Sequence, residues 1–532
     1  MPTGFTIRLS VTFFVLATLF IAGCRQGAQQ SDTFVMALPD NIATLDPIGA
    51  PTIDAASERV RVLLFNSLVR KNEKFDYVPE LASDIKQSDD GLTYTFTLRD
   101  QITFHDNRPF TSADAKYTLD TLLASNSGKA ASFFEGSGET KQPLIKSIEA
   151  PDARTLVIRL NKFTSQLLPN LVTVGMIPQG SAATQKDHPI GTGPFKFAHW
   201  DSSQQVLDLA ANTNYWEGAP HIQNLRVRVI NDANALQAEL RSGRVQLAPL
   251  ATNLSPDAFK SLQSDPNLQV LQFPGANIIY LGFNVQSDPL KDVRVRQAIA
   301  YAIDREFIIS KLLLGQAKIA YSILPEESWA YTPGQKYLHD PTRAKQLLDE
   351  AGYRDPDGDG PQMRFQKPVV MKISSSNMTA RQFAGVVQDE LKEIGVPLSI
   401  ETLELNTLRD QWRYGQFQLT YGQWVGGNQD PIFYRDLFLS AEIPTQDRSG
   451  RNRSRYSNPE FDRIIEEASN TTDREKAFGL YAKAQDIISR DVPMLPLWYP
   501  SNMVIARKNV GNIHVRGDGD FSFVREVTVD GK

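Results

Sequence analysis

One segment of the chain alternates strictly between apolar and polar residues, which is the pattern of a half-buried strand. Leu92, Tyr94, Phe96 and Leu98 fall on one face of it and threonines fall on the other. A similar, shorter strand is predicted at 155–160. Both strands are expected to cover a core with their apolar faces.

Between and after these strands, apolar residues recur at the i, i+3, i+4 spacing of helices. Thr111-Ser-Ala-Asp114 has the form of a capping box, with Asp in place of the usual Glu or Gln. Asn458-Pro459 begins another helix, and a long helix is predicted over 296–314, ended by Gly315. Because helices and strands alternate along the chain, we predict an α/β fold.

The chain is 532 residues long, which exceeds the size at which one core usually stops growing and so predicts several domains. Apolar residues make up 41% and charged residues 22%, as in ordinary globular proteins. Since the net charge is −5, nucleic acid is not expected as a partner. We expect a monomer.

The first residues of the chain have the organisation of an export signal. Arg8 precedes an apolar run over 11–22, which is too short to cross a bilayer as a helix. The run ends in Ile21-Ala-Gly-Cys24, a tetrad that resembles the bacterial lipobox. In lipobox proteins the cysteine is lipidated and the peptide is cut before it.

This resemblance implies that residues 1–23 are a lipoprotein signal peptide, that Cys24 carries the lipid and that 24–32 is a flexible tether. The expected location is the cell envelope, on its periplasmic or extracellular face. A buried cysteine or an uncleaved short anchor is the alternative. Cys24 is the only cysteine, so an internal disulfide is excluded.

Motifs of catalysis are missing from the sequence: there is no Gly-x-Ser-x-Gly elbow, His-Glu-x-x-His helix or Walker loop. Residues 355–366 match the first half of an EF-hand loop, but Gln366 stands where a bidentate Glu is needed. We therefore expect no enzyme, no cofactor and no metal site, while calcium at Asp355–Asp359 stays open.

A series of short motifs runs in a fixed order over nearly the whole chain after the tether. They are Thr44-Leu-Asp-Pro47, Pro79-Glu-Leu-Ala82, 90–99, Phe104-His-Asp106, 109–114, 191–195, Asn214-Tyr-Trp216, Phe283-Asn284, 293–299, 302–305 and 458–462. Together they resemble the family 5 extracellular solute-binding proteins, the peptide, dipeptide and nickel receptors of ABC importers. The resemblance implies a bilobed periplasmic-binding-protein-like fold (type II, cluster C) with an extra inserted domain.

In this family the chain crosses twice between two lobes that close over the ligand. The resemblance places domain I at 33–56 with 190–274 and 494–532, domain II at 57–189 and domain III at 275–493. The crossovers are then expected near 273–277 and 491–496, where Pro and Gly interrupt the pattern.

The predicted ligand loop is Tyr421-Gly-Gln-Trp-Val-Gly-Gly-Asn-Gln-Asp-Pro431, because its glycines expose the backbone and its tryptophan offers a flat apolar wall. The candidate residues are Tyr421, Trp424, Gly426, Gly427, Asn428 and Asp430, with Thr44, Tyr280 and Asn284 added by resemblance. In characterised peptide receptors an Asp of this loop pairs with the ligand's ammonium group. Gly427 stands at that position here, so either Asp430 or another acid replaces it, or the ligand lacks a free amino terminus.

The function implied is an extracytoplasmic substrate-binding lipoprotein of an ABC importer, which captures peptides or peptide-like solutes and passes them to the permease and ATPase subunits. A receptor that signals or scavenges without transport is an alternative. The same fold could also bind a nickel chelate or an oligosaccharide.

Overall fold

The structure is a computed structural model that describes residues 33–136, 141–358, 360–446 and 450–530. Two large mixed sheets organise these residues, and each has helices and a hydrophobic core of its own. We call the seven-stranded sheet with its attached small sheets the first lobe, and the six-stranded sheet with its helices the second lobe. The predicted α/β class is confirmed.

The seven-stranded sheet of the first lobe begins with the strand Thr33–Leu38 at its centre. That strand runs parallel to Asn224–Val229, while the outer pairs are antiparallel. In spatial order the strands are Phe195–Asp201, Val206–Ala211, Asn224–Val229, Thr33–Leu38, Leu247–Pro249, Asn502–Arg507 and Leu268–Phe273.

A four-stranded antiparallel sheet lies beside it, in the order Ala82–Gln87, Thr93–Leu98, Thr155–Leu160, Ile145–Asp152. Tyr94, Phe96 and Leu98 are buried, as their alternation with threonines predicts. The helix Ser112–Leu123 covers this sheet, and the Asp114 carboxylate accepts from the Thr111 backbone N–H at 2.9 Å. The predicted capping box is therefore confirmed.

The six-stranded sheet of the second lobe has the order Ala317–Ile319, Met494–Pro500, Ile278–Phe283, Leu419–Trp424, Val369–Ser374, Leu398–Leu403. Tyr280 belongs to one buried cluster and its neighbour Leu281 to another. Because successive side chains of a strand point to opposite faces, the sheet is covered by packed side chains on both faces.

The remaining elements are helices and short ribbons. The helices are Ala55–Leu64, Gly128–Ala131, Leu167–Leu171, Ala233–Ser242, Pro256–Gln263, Val293–Ala302, Arg305–Phe307, Pro341–Glu350, Met378–Glu393, Leu405–Arg413, Phe433–Phe438, Pro459–Ser469 and Arg474–Asp491. The ribbons pair Val69–Lys71 with Tyr77–Pro79, Phe134–Glu135 with Gln142–Pro143, and Val510–Gly511 with Thr528–Val529.

The predicted long helix at 296–314 is wrong in one respect, since the chain breaks at Ile303. There Asp304 caps a new helix by accepting from the Phe307 N–H at 2.8 Å. The break places the buried Arg305 guanidinium against the carbonyls of Ala320, Tyr337 and Pro496. The hydrogen bonds from Arg305 to these carbonyls offset the backbone hydrogen bonds that the helix loses at the break.

The chain crosses between the lobes at 274–277 and again at Ser501. The two crossing segments touch, because a Cβ on Gly275 would lie 1.9 Å from the Pro500 carbonyl oxygen. A glycine is required at that close approach.

Two of the domain boundaries that the resemblance implies do not match the observed strands and helices. The boundary at 494 is too early, since Met494–Pro500 pairs within the six-stranded sheet. The boundary between 56 and 57 falls inside the helix Ala55–Leu64.

Candidate functional site

The predicted ligand loop begins within the strand Leu419–Trp424, an inner strand of the second-lobe sheet, and its continuation is tied to the first crossover. The Gly426 N–H donates to Asn277 Oδ1 at 3.1 Å. The fully buried Asn428 amide donates to the Ala276 carbonyl at 2.6 Å and to the Ile323 carbonyl at 2.9 Å. Asn428 therefore anchors the loop to the first crossover, which positions the residues on either side of Asn428.

The loop also contacts the first lobe directly. The Tyr77 hydroxyl donates to Asp430 Oδ2 at 2.6 Å, and Lys71 Nζ donates to Gln429 Oε1 at 2.8 Å. Both first-lobe residues lie on the ribbon of Val69–Lys71 and Tyr77–Pro79. The lobes are thus in contact across the cleft, with the predicted loop at the contact.

A second interlobe contact lies nearby at the rim. Arg474 Nη2 is 2.5 Å from Asp76 Oδ1, and the arginine side chain is 62% exposed. The same guanidinium lies over the Trp329 ring, 4.9 Å from its centroid. Since exposed ion pairs contribute little, the part-buried Tyr77–Asp430 contact is the stronger of the two.

Burial changes the ionisation of the groups at this contact. It raises the pKa of Asp430 and lowers the pKa of Lys71. The pKa of Tyr77 is raised well above its usual range by burial and by the neighbouring Asp430 charge. The raised pKa of Tyr77 keeps its hydroxyl protonated, so this hydroxyl can donate to Asp430.

Trp424 forms an aromatic wall at the start of the loop. Its ring stacks on Tyr280 with centroids 6.5 Å apart and planes at 14°, and meets the edge of Phe433 at 5.3 Å. The Arg453 guanidinium lies 5.3 Å from the centroids of both Trp424 and Trp412. Tyr280 is buried behind Trp424, so its role in the site is to support that ring.

Gly427 is exposed and begins the short turn Gly427–Gln429. A Cβ at this position would lie 2.9 Å from the Phe433 ring. Gly426 has a φ of 82°, which favours glycine over other residues. The two glycines therefore serve the path of the loop, and a larger residue at 427 would need Phe433 to move.

The structure gives two of the predicted residues, Tyr421 and Asn284, packing roles. Tyr421 is buried between Phe383 and Trp498, with centroids 5.1 and 6.3 Å away. Asn284 is buried and donates to the carbonyls of Gly415 and Phe417. Ligand contact by either is incompatible with that burial.

Thr44 lies in the first lobe, where its Oγ1 accepts from the Asp46 N–H at 3.1 Å. Its carbonyl accepts from Arg61 Nη2 at 3.2 Å. These bonds stabilise the turn after the first strand. This structural role explains Thr44 without any contact to a ligand.

Sequence reasoning missed Lys71, Tyr77, Gln429 and Arg516. The first three make the contacts across the cleft, and Arg516 Nη1 donates to the Lys71 carbonyl at 2.9 Å. Gln429 lies inside the predicted loop, so its position in the sequence could have identified it as a site residue. The other three lie far from that loop in the chain, and only the fold brings them to it.

Within the described ranges, no group of three or more His, Cys, Asp or Glu side chains is arranged to hold a metal ion. In the calcium candidate Asp355–Asp359, Asp359 lies outside the described residues. Asp355 Oδ1 accepts from the N–H groups of Asp357 and Gly358, and Asp357 Oδ2 accepts from the Gln362 N–H. These bonds are those of a polar turn.

The export signal, Cys24 and the tether all lie outside the described residues. From residue 33 onwards, the helices that are described are all too short or too polar to cross a bilayer.

The chain matches a family model described as bacterial extracellular solute-binding proteins, family 5 Middle, over residues 76–445. It is 30% identical to heme-binding protein A of Haemophilus influenzae, over 97% of this chain and 98% of that protein. It is also 30% identical to the dipeptide-binding protein of Escherichia coli, over 86% of this chain and 87% of that protein. The chain therefore belongs to the family 5 extracellular solute-binding proteins.

Solved structures of the family share the fold. The oligopeptide-binding protein AppA of Bacillus subtilis, in complex with a nonapeptide, superposes with a TM-score of 0.71 at 25% identity, covering 93% of this chain and 98% of that one. The expected bilobed type II binding-protein fold is thereby confirmed.

Proposed function

We propose that this protein is the receptor of an ABC importer and captures peptides or peptide-like solutes between its two lobes. The observation that carries the proposal is the contact of the loop 424–430 with the ribbon residues Lys71 and Tyr77 across the cleft. Closure of two lobes on a ligand creates a state that a membrane permease can distinguish from the open one. The relatives named for dipeptides and oligopeptides support the ligand class.

The loop has the chemistry that a peptide backbone needs. The Trp424 ring beside the loop is only partly buried, and the exposed Gly427 leaves its backbone groups accessible. Noncovalent capture without turnover is proposed, and membership of a solute-binding family supports it.

The proposal includes a lipid anchor on Cys24 in the cell envelope and delivery of the solute to the permease and ATPase subunits. The sequence around Cys24 supports the anchor, and the family membership supports the importer. The protein is proposed to act as a monomer.

The experiment is native mass spectrometry of the purified protein, followed by thermal shift measurements with pooled tripeptides. We expect a peptide to co-purify, or the pool to raise the melting temperature. A nickel chelate, haem and an oligosaccharide form the comparison set. A shift with one of these and none with any peptide would refute the peptide proposal while leaving the family intact.

A further inference from the structure

Behind the loop lies a group of charged side chains that the proposed function does not yet use. We define the Lys71 cluster as Lys71, Gln429 and Arg516 with the acids beside them. Arg516 Nη2 is 2.9 Å from Asp518 Oδ2 and 2.7 Å from Asp520 Oδ2. The cluster thus joins the ribbon, the C-terminal segment and the ligand loop at the interface of the lobes.

Gln429 is an unsatisfied group in this cluster. It is 2% exposed, and its Oε1 accepts from Lys71 Nζ. The ammonium group fixes the amide orientation, since the opposite orientation would place two sets of donors face to face. Its Nε2 is then buried and lacks a hydrogen-bond partner among the described residues. Such an orphan donor carries a desolvation penalty unless something else accepts from it.

One more donor nearby is in the same condition. Arg516 Nε is buried and has no acceptor in the part of the chain that the structure describes. Lys71 Nζ has three hydrogens and donates one of them to Gln429 Oε1, so it also has donor capacity left. The unused hydrogen-bonding capacity here is mostly that of donors.

The carboxylates of the cluster, in contrast, already accept hydrogen bonds. Asp430 accepts from the Tyr77 hydroxyl with one oxygen and from the Ile432 N–H with the other, at 2.8 Å. Asp520 Oδ1 accepts from the Ser522 N–H at 2.9 Å and from its hydroxyl. Because these carboxylates are already paired, an incoming ammonium group would have to displace an existing partner.

The loop also contains one buried acceptor that lacks a donor in the described ranges, the Oδ1 atom of Asn428. Asn428 uses both amide hydrogens on backbone carbonyls, and its buried Oδ1 accepts from none of the described donors. A solute with one N–H and several acceptor oxygens would satisfy the loop as a whole.

We propose that the Lys71 cluster is a subsite for a carboxylate of the bound solute, with Lys71 Nζ and Gln429 Nε2 as its donors. This inference rests on the proposed function, because it requires a solute between the lobes. A carboxylate accepts several hydrogen bonds and gains the charge-assisted strength of the ammonium partner. It also fits Gly427, since a solute held through its acid end needs no acid in the loop for its amino end.

The test compares three forms of one tripeptide pool with the full-length protein: free acids, C-terminal amides and N-acetylated acids. We expect amidation to weaken binding by roughly 10-fold or more, which is the effect of a lost hydrogen-bonded charge. N-acetylation should change it by less than about 3-fold. Citrate forms a fourth arm, as a carboxylate source that is not a peptide.

The outcomes separate the two proposals. Equal binding of acids and amides would overturn the subsite and leave peptide binding standing. Binding of citrate alone, lost in Lys71→Met, would support the subsite and refute peptides as the ligand. Binding by neither the free acids nor citrate would overturn the subsite as well.

Two variants add an internal control. Gln429→Glu keeps an acceptor for Lys71 but replaces the free donor with an anionic oxygen, so it should weaken free acids more than amides. Tyr77→Phe removes an interlobe hydrogen bond and leaves the donors in place, so it should weaken both forms alike. An equal loss for both forms in Gln429→Glu would contradict the proposal.

Discussion

The Tyr77 hydroxyl donates to the Asp430 carboxylate at 2.6 Å although 353 residues separate the two in the chain. Tyr77 belongs to a ribbon of the first lobe and Asp430 to the loop that ends a strand of the second. The bond can therefore form only when the lobes close. This gives Asp430 a role in closure, where the sequence had suggested a partner for a ligand ammonium group.

Tyr77→Phe should weaken ligand binding. The variant removes the hydrogen bond to Asp430, which exists only in the closed state and is worth about 1–2 kcal/mol, so the dissociation constant should rise roughly 5- to 30-fold. Isothermal titration calorimetry with a bound peptide measures it. Tyr94→Phe is the matched control, because the Tyr94 hydroxyl accepts from Gln87 Nε2 within the small sheet of the first lobe. An unchanged affinity in Tyr77→Phe would contradict the closure role.

Arg474→Ala should have a smaller effect than Tyr77→Phe. The Arg474–Asp76 pair also bridges the lobes, but its arginine is 62% exposed and solvent screens the interaction. We expect a loss of less than about 1 kcal/mol, and we expect added salt to remove most of the difference from the unmodified protein. Titrations at two salt concentrations measure both. A larger loss than that of Tyr77→Phe would show that the rim controls closure.

Local patterns in the sequence predicted much of the secondary structure. Alternation identified the strand Thr93–Leu98, and the capping box located the helix at Ser112. Both patterns are local, so a single segment carries all the information needed. The boundary at 494 failed because the strand Met494–Pro500 is apolar throughout, and only its pairing partner decides to which sheet it belongs.

The site was predictable only in part, for a related reason. Glycines and a tryptophan identified the loop, yet the loop's partners Lys71 and Tyr77 lie in a ribbon that carries no distinguishing motif. Tyr421 shows the converse. It lies in the right segment, but the strand's alternation turns it towards Phe383 and away from Trp424.

Gly427→Ala should destabilise the protein. The added Cβ would lie 2.9 Å from the buried Phe433 ring, which must shift to accept it. We expect a loss of about 1–2 kcal/mol in the free energy of unfolding, measured by denaturant titration. Gly385→Ala is the control, since Gly385 lies within the helix Met378–Glu393 with open space around it. That variant should stabilise by about 0.5–1 kcal/mol. A loss in Gly385→Ala equal to that in Gly427→Ala would contradict the steric argument.

Cys24→Ser should release the exported protein from the membrane. The prediction depends on lipidation of the only thiol in the chain, and a polar serine offers no sulfur for the thioether. Fractionation of washed membranes measures the distribution, and labelling with a fatty-acid analogue confirms the chemistry. Retention of the serine variant in washed membranes would contradict the anchor. Gln26→Ser, two residues further on, is the control for the substitution itself.

Glu390→Gln should stabilise the protein above neutral pH. Glu390 is half-buried on the helix Met378–Glu393, with Oε1 accepting from the Asp304 N–H and Oε2 without a partner among the described residues. Burial raises its pKa to about 7, and the charges of Asp304, Glu393 and Asp389 add to the shift.

Because the pKa of Glu390 is higher in the folded state, folding retains a proton that the unfolded chain releases between about pH 4.5 and pH 7. Stability is therefore lost as the pH rises through that window. Removing the charge should restore about 1–2 kcal/mol at pH 8, a figure discounted for partial exposure, and should flatten the pH dependence between pH 5 and 8. Denaturant titrations across this range measure both effects, with Glu466→Gln, exposed on the helix Pro459–Ser469, as control. If the pH dependence of the free energy of unfolding is unchanged in Glu390→Gln, Glu390 is not the group that causes it.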